Sequence, residues 1–280
     1  MITAPGLYPE LSDTYHSQRH TPTRALSASG IKCLLNETPL DFITPKDKKS
    51  DAMNFGSVVH ALALGKGAKF SVSPFDEYRT KEARQWRDDT IAEGLIPIKA
   101  DDYDEAETMA AIIRDKIARI LGGAPYQTEV PFYWQEGDTW CQGMLDVWCP
   151  DLLVGLDPKI TPYVHRKAAA HMVNMGHDIQ GAWYRRGLEA IMPEHAGRIR
   201  FANLLIKPEA PYTSRIVMMN EAWRASAESE CLRALRIFDR CMATGEWPGY
   251  SNDIEMLDIP SWTLKERVEA EMMEDANQGD

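Results

Sequence analysis

The chain has 280 residues, of which 44% are hydrophobic and 26% charged, enough for one large buried core with small appendages. Its net charge of −11 excludes a uniformly basic nucleic-acid-binding surface, and no apolar run approaches the roughly 20 residues that span a bilayer. Cys33, Cys141, Cys149, Cys231 and Cys241 are scattered and never form CxxC, which points to reduced thiols and a cytoplasmic protein and away from zinc or an iron–sulfur cluster.

Residues 1–24 are rich in Pro, Thr, His and Tyr without periodicity and read as an extended arm. Ser27 or Ser29 is placed to cap a short helix carrying Ile31, Leu34 and Leu35. After the charged turn Pro45-Lys46-Asp47-Lys48-Lys49, an apolar helix is expected over 53–64, ended by Gly65-Lys66-Gly67. Residues 70–100 mix strand-like and charged stretches and give no assignment. Asp101 or Asp102 opens an amphipathic helix whose Met109, Ile112, Ile113, Ile117 and Ile120 keep the spacing of a buried stripe, and Gly122-Gly123 stops it. Three strands follow over 127–134, 139–148 and 152–160, with connections short enough for an antiparallel meander. Residues 168–191 read as one long helix with Met172, Met175, Ile179, Ala182 and Trp183 inward. Strands over 198–206 and 214–219, a helix over 221–244, a loop over 245–260 and an acidic helix over 264–274 complete the chain. This order predicts a mixed α/β fold, a central mixed sheet flanked by helices.

Asp146 and Asp157 interrupt strands that otherwise favour burial, where a carboxylate is costly unless paired or metal-bound. Lys159 lies two residues after Asp157 and so shares its face of the strand. Two acids and an ammonium so spaced suit a divalent cation held against a phosphate, with the lysine orienting or helping to deprotonate water. The plainer alternative is an Asp–Lys ion pair at a sheet end. His60 lies four residues from Gly56, a spacing that lets another element approach that helical face, and imidazole suits Mn²⁺ better than Mg²⁺. Gln180 and Tyr184 also share one helical face, placed to bind phosphate or orient Lys159. His165, His171 and His177 recur every six residues, which matches no strand or helix face, so they receive no ligand role. Residues 160–215 carry eight bases against four acids, and residues 216–280 fourteen acids against six bases. This distribution permits a local phosphate-tracking surface just after the acids, with Arg166, Lys167, Arg185 and Arg186 as its candidate contacts; the alternative is a solvated mixed-charge face.

Taken together, His60, Asp146, Asp157-Pro158-Lys159 and Gln180-Gly181-Ala182-Trp183-Tyr184 resemble the RecB-type branch of the PD-(D/E)xK nucleases. Leu26-Ser27-Ala28-Ser29-Gly30-Ile31-Lys32, Phe55-Gly56-Ser57-Val58-Val59-His60-Ala61-Leu62, Gly245-Glu246-Trp247-Pro248-Gly249-Tyr250 and Ile259-Pro260-Ser261-Trp262 are similar to segments of the exonuclease VIII (RecE) nuclease domain and its phage relatives. The resemblance implies a PD-(D/E)xK domain over 25–262 and an acidic tail over 263–280. It implies that His60, Asp146, Asp157 and the main-chain carbonyl of Pro158 ligate Mg²⁺, with Mn²⁺ as a substitute, and that Lys159 serves the attacking water. Gln180 and Tyr184 would steady the lysine and the scissile phosphate, and Glu129 matches an accessory acid of some relatives. The implied reaction is 5′ to 3′ hydrolysis of double-stranded DNA from its ends, exposing single strand for a RecT-type annealing partner. A ring-like homo-oligomer and the absence of any membrane role belong to the same expectation. Pro158 departs from an ordinary central-strand residue because it has no N–H, so a local bulge is expected there, with its carbonyl turned to the metal. The alternatives are a structure-specific or Cas4-like endonuclease on the same fold, or a DNA-end-binding module with an impaired site. The scattered cysteines do not supply the iron–sulfur grouping that Cas4-like proteins carry.

Overall fold

The computed structural model describes residues 1–17, 19–44 and 51–278, so the charged turn at 45–49 lies outside the described residues. It divides into two units, Met1–Pro248 and Gly249–Asp280, rather than at residue 262. Residues 1–24 are not an extended arm. Strand β1 (Gly6–Leu7) pairs antiparallel with Phe132 and Tyr133, and a 3₁₀ turn follows over Pro9–Ser17. Ile2 and Tyr15 are buried with Tyr133 and Trp140, so apolar side chains with no helical or strand period still fasten this segment down.

Strand β2 (Leu26–Ser27) leads into helix α1 (Ala28–Asn36), where the Ser27 side chain accepts from the Gly30 N–H as the N-cap. Helix α2 (Pro39–Ile43) opens with a capping box between Thr38 and Asp41. Helix α3 (Asp51–Leu64) ends at Gly65. Among the described residues a Cβ on Gly56 would meet only Ile160 Cδ1, at 4.0 Å, so no close approach is made there by them. The unassigned stretch 70–100 holds β3 (Phe70–Val72), α4 (Lys81–Ala92) and β4 (Ile96–Ile98), the two strands pairing in parallel. Helix α5 (Ala100–Leu121) buries Met109, Ala110, Ile113 and Ile117 against Val58 and Val59 of α3, as its stripe predicts.

Strands β5 (Gln127–Glu136), β6 (Thr139–Cys149) and β7 (Val154–Ile160) form the antiparallel meander. The expected single helix over 168–191 is two, α6 (Ala168–Asn174) and α7 (His177–Ile191), separated at Gly176, whose φ is 62°. Met175 consequently faces solvent instead of the core. A Cβ on Gly187 would fall 2.6 Å from the Trp134 ring, so only glycine lets α7 lie this close to the sheet. Strands β8 (Arg200–Ile206) and β9 (Ser214–Val217) and helix α8 (Glu221–Thr244) follow. The second unit contains α9 (Ser261–Gln278).

The sheet runs β1-β5-β6-β7-β8-β9 and is mixed, because β7 and β8 are parallel. One edge of β6 is shared: β7 pairs with Val147, Trp148 and Cys149, and β2 pairs with Cys141 and Gln142. Between those stretches the strands part. The divergence begins at Asp146 on β6 and Asp157 on β7, the positions next in register after Val147 and Leu156.

Candidate metal centre

A change of phase along two paired strands brings the acids together. In β5, Val130 packs on the α7 face of the sheet, while the Thr128 hydroxyl donates to Leu64 of α3 at 3.0 Å on the opposite face. In β6, Leu145 joins the α7-face cluster, while Val147 and Cys149 join the α3/α5 cluster. Residues two apart normally share a face, so both strands switch faces at the residue between. Those residues are Glu129 and Asp146, the one pair missing from an otherwise continuous register between Gln127 and Glu136. Glu129 makes the switch with φ 50°, a left-handed conformation costing a non-glycine residue on the order of 1 kcal/mol or more.

Helix α3 supplies the third group. His60 Nε2 lies 2.8 Å from the Pro158 carbonyl, which can only accept, so Nε2 carries the proton and Nδ1 presents a lone pair. That Nδ1 sits 3.5 Å from Asp146 Oδ2, which is buried and has no hydrogen-bond partner among the described residues. Burial and the nearby Lys159 ammonium hold the imidazole below its ordinary range, so at neutral pH both atoms are acceptors. Two facing buried acceptors are an arrangement that a cation resolves. Atoms of His60, Glu129 and Asp146 all lie within 4.8 Å of one another, a span suited to sharing one ion. Burial pushes Glu129 up to about 7, with Lys66 opposing and Asp157 assisting the shift. Burial and the charge of Asp157 hold Asp146 well above the usual carboxylate range, and the two carboxyl groups share a hydrogen bond.

Asp157 has the opposite surroundings. It is 1% exposed, and it accepts from Lys159 Nζ at 2.8 Å, Asn203 Nδ2 at 2.8 Å and Gln180 Nε2 at 3.4 Å. Burial alone would raise it, but the Lys159 charge and the hydrogen bonds from Asp146 and Lys159 outweigh burial and keep it ionised. Burial likewise opposes charge on Lys159, and Asp157 and Asp146 overcome it, so the ammonium persists. The Asp–Lys pair foreseen as the plain alternative is thus present, but inside a cluster with His60, Glu129 and Asp146 rather than alone. No bulge forms at Pro158: β7 stays in unbroken register with β8 from Val154 to Ile160, and pairing to β6 has already ended at Leu156. The missing N–H therefore costs little, and the Pro158 carbonyl serves His60.

Gln180 reaches Asp157 rather than Lys159. Tyr184 is 8% exposed and packs edge-on against Phe132 and Phe201, with centroids at 5.3 and 5.7 Å. Its hydroxyl takes hydrogen bonds from the Met144 backbone and Gln180, which makes it a wall of the site that ties α7 to the unpaired stretch of β6. Two expected DNA contacts are engaged elsewhere. Arg185 pairs through Nε with Glu189 at 2.8 Å, and Arg186 binds Glu136 and Glu228 at 2.7 Å each. Arg166 and Lys167 are exposed on the loop after β7. Three participants escaped the sequence reading. Asn203, 2% exposed, is a lone amide in the apolar run Phe201-Ala202-Asn203-Leu204-Leu205, which was its signal. His177, given no role, opens α7 beside the Asp157–Lys159 pair and is driven down to about 4 by burial and the Lys159 charge. Lys32 of α1 lies over Gly176 and donates to the Met175 carbonyl at 3.4 Å.

Comparisons with known proteins bear on the family and the fold. The family described as "PDDEXK-like domain of unknown function (DUF3799)" matches residues 37–260. Among solved structures, a "Putative exonuclease" from Eubacterium rectale superposes with a TM-score of 0.58 at 16% identity, covering 94% of this chain and 98% of that one. A phage-related exonuclease from Haemophilus somnus gives a TM-score of 0.34 at 11% identity, over 79% of this chain and 96% of that one. No curated protein sequence matches the chain.

Proposed function

The family match spans most of the chain, which therefore belongs to the PDDEXK-like family and has a nuclease fold, and on that premise we propose a metal-dependent DNA exonuclease. Its substrate in this reading is linear double-stranded DNA, degraded 5′ to 3′ to leave single strand for recombination by annealing. A RecT-type annealing protein is the partner, and a ring-like homo-oligomer is the working assembly. The observation that supports the reading most is the unpartnered Asp146 Oδ2 facing the Nδ1 lone pair of His60, with Glu129 alongside. Oxygen and imidazole donors of this kind fit Mg²⁺ or Mn²⁺. His60, Glu129 and Asp146 would hold the ion, with Asp157 and the Pro158 carbonyl beside them. Such an ion, when bound, polarises a phosphoryl oxygen and lowers the pKa of water.

The chain's own groups do the rest. Lys159, kept charged by Asp157, is a donor and a positive charge rather than a base; it orients water and offsets charge that builds on the phosphate. Asp157 is the hub that fixes the ammonium, with Asn203 and Gln180 holding the carboxylate in one rotamer. Tyr184 and the aromatic cluster behind it keep α7, and hence Gln180, at a fixed height above the sheet.

The test is degradation of end-labelled linear duplex with Mg²⁺, beside a covalently closed circle and an EDTA control. The exonuclease reading expects loss of the linear substrate only, abolished by EDTA and lowered at least about 100-fold by Lys159→Ala with the fold intact. Cutting of the circle would make the enzyme an endonuclease. Metal-dependent binding with no cutting of either substrate would make it an end-binding module.

A further inference from the structure

The loop that leaves β7 carries a second constellation. Thr161 stays tied to the end of β8, its N–H donating to the Ile206 carbonyl at 2.8 Å, and its hydroxyl accepts from the Tyr163 N–H at 3.1 Å. Val164 is buried with Ala168, Met172 and Leu205 and anchors the loop from below. Tyr163 is consequently turned outward, 41% exposed, its ring braced by His171 at a centroid distance of 5.0 Å and by Lys167 Nζ at 5.9 Å. Arg166, Lys167 and Lys207 surround the same hollow, and none has an acidic partner or a side-chain hydrogen bond among the described residues. Elsewhere on this acidic chain, cations such as Arg185, Arg186, Arg224 and Arg233 are neutralised by a carboxylate. The hollow holds ≈ 140 Å³, below the roughly 300 Å³ of an enclosing ligand pocket, so it suits contact across a surface.

We propose that Tyr163, Arg166, Lys167 and Lys207 form a single-strand subsite adjoining the metal centre, one unpaired base stacking on Tyr163 and the flanking phosphates lying on the three cations. This rests on the nuclease reading of the neighbouring site. An exposed ring between unpaired cations matches an unstacked base and its backbone, whereas bases inside a duplex present no face to it. Position sets the register: Tyr163 is four residues beyond Lys159, at most about 14 Å along the chain. Even at the ~3.4 Å per nucleotide of a fully stacked strand this is no more than about four nucleotides, so the strand held here is the one entering the centre, frayed from its complement.

The experiment is fluorescence anisotropy of a labelled oligothymidylate of about 12 nucleotides, a length within the usual site size, in EDTA so that no cutting occurs. Wild-type protein is expected to bind, Tyr163→Ala to bind at least about fivefold more weakly, and Tyr163→Phe to bind like wild type because the ring face is retained. Lys207→Ala should reduce the slope of log affinity against log salt by about 0.7. Absence of wild-type binding, or Tyr163→Ala binding unchanged, overturns the subsite. Duplex cleavage measured in parallel separates the two readings. Wild-type cleavage with unchanged Tyr163→Ala binding removes the subsite alone, and intact Tyr163-dependent binding without cleavage removes the exonuclease alone.

Discussion

Asp146 and Asp157 stand across the opening between β6 and β7, yet one has a buried oxygen with no donor among the described residues and the other accepts from Lys159, Asn203 and Gln180. The contrast follows from what the strands bring along. Asp157 sits on a strand paired in parallel to β8, so Asn203 lies directly across from it and Lys159 projects from the same face. Asp146 sits where two strands change phase, which removes it from the ladder and turns it toward α3 and a histidine lone pair. The pair shows how identical side chains a few ångströms apart take different duties: one is arranged for a cation, the other for holding a cationic side chain. Desolvation acts on both, and the Lys159 charge with the hydrogen bonds around Asp157 decides that Asp157 is the one held low.

Substitutions can break this contrast. Asp146→Asn should lower Mn²⁺ affinity at least about 100-fold by calorimetry, more than loss of an outer-sphere partner would, while the metal-free protein melts no lower than wild type because a buried acid is gone. Unchanged Mn²⁺ affinity would put the ion elsewhere. Asp157→Asn should act with the opposite sign on stability. It leaves Lys159 without its counter-charge, and urea unfolding should register a loss of about 2 kcal/mol, discounted from the larger cost of a wholly buried pair because Lys159 is partly exposed. Asn203→Leu removes one donor and should cost roughly 1 kcal/mol in the same measurement, with the carboxylate of Asp157 titrating higher by NMR. An unmoved Asp157 titration would mean that Asn203 only fills space.

The smallest effect is on pH. Glu129 is raised from 4.5 to about 7 in the folded protein, so its contribution to metal-free stability is complete below about 4.5 and disappears as pH rises through about 7. Melting of the metal-free protein should decline across that window, and Mn²⁺ should restore more stability at the upper end, where the carboxylate is already ionised. Glu129→Gln should flatten both trends; a slope unchanged by that substitution would assign the titration to another group.

The sequence made part of this site legible. Acids in otherwise apolar strands and a lysine two residues on are local patterns, and each of those residues lies in the cluster. The register of β7 was harder, because the proline suggested a bulge and the sequence does not say that the β6 ladder stops one step earlier. Charge counting could not see that Arg186 meets Glu136, fifty residues upstream. The break before α7 did leave a trace, since Asn174-Met175-Gly176 reads as a helix stop, but the apolar spacing on either side concealed it. The ordered N-terminal segment was invisible for a different reason: its buried side chains follow no period, and only the tertiary surface of Tyr133 and Trp140 selects them.

Glu129 adopts a backbone shape that glycine takes up without steric penalty. Exchange to glycine would also empty a buried position of its carboxylate, so the substituted chain should withstand heat and denaturant better than the original. Directed evolution toward thermal resilience alone would accordingly drift to that replacement, yielding a sturdier and inert scaffold. Position 129 is where durability and chemistry compete for the same residue.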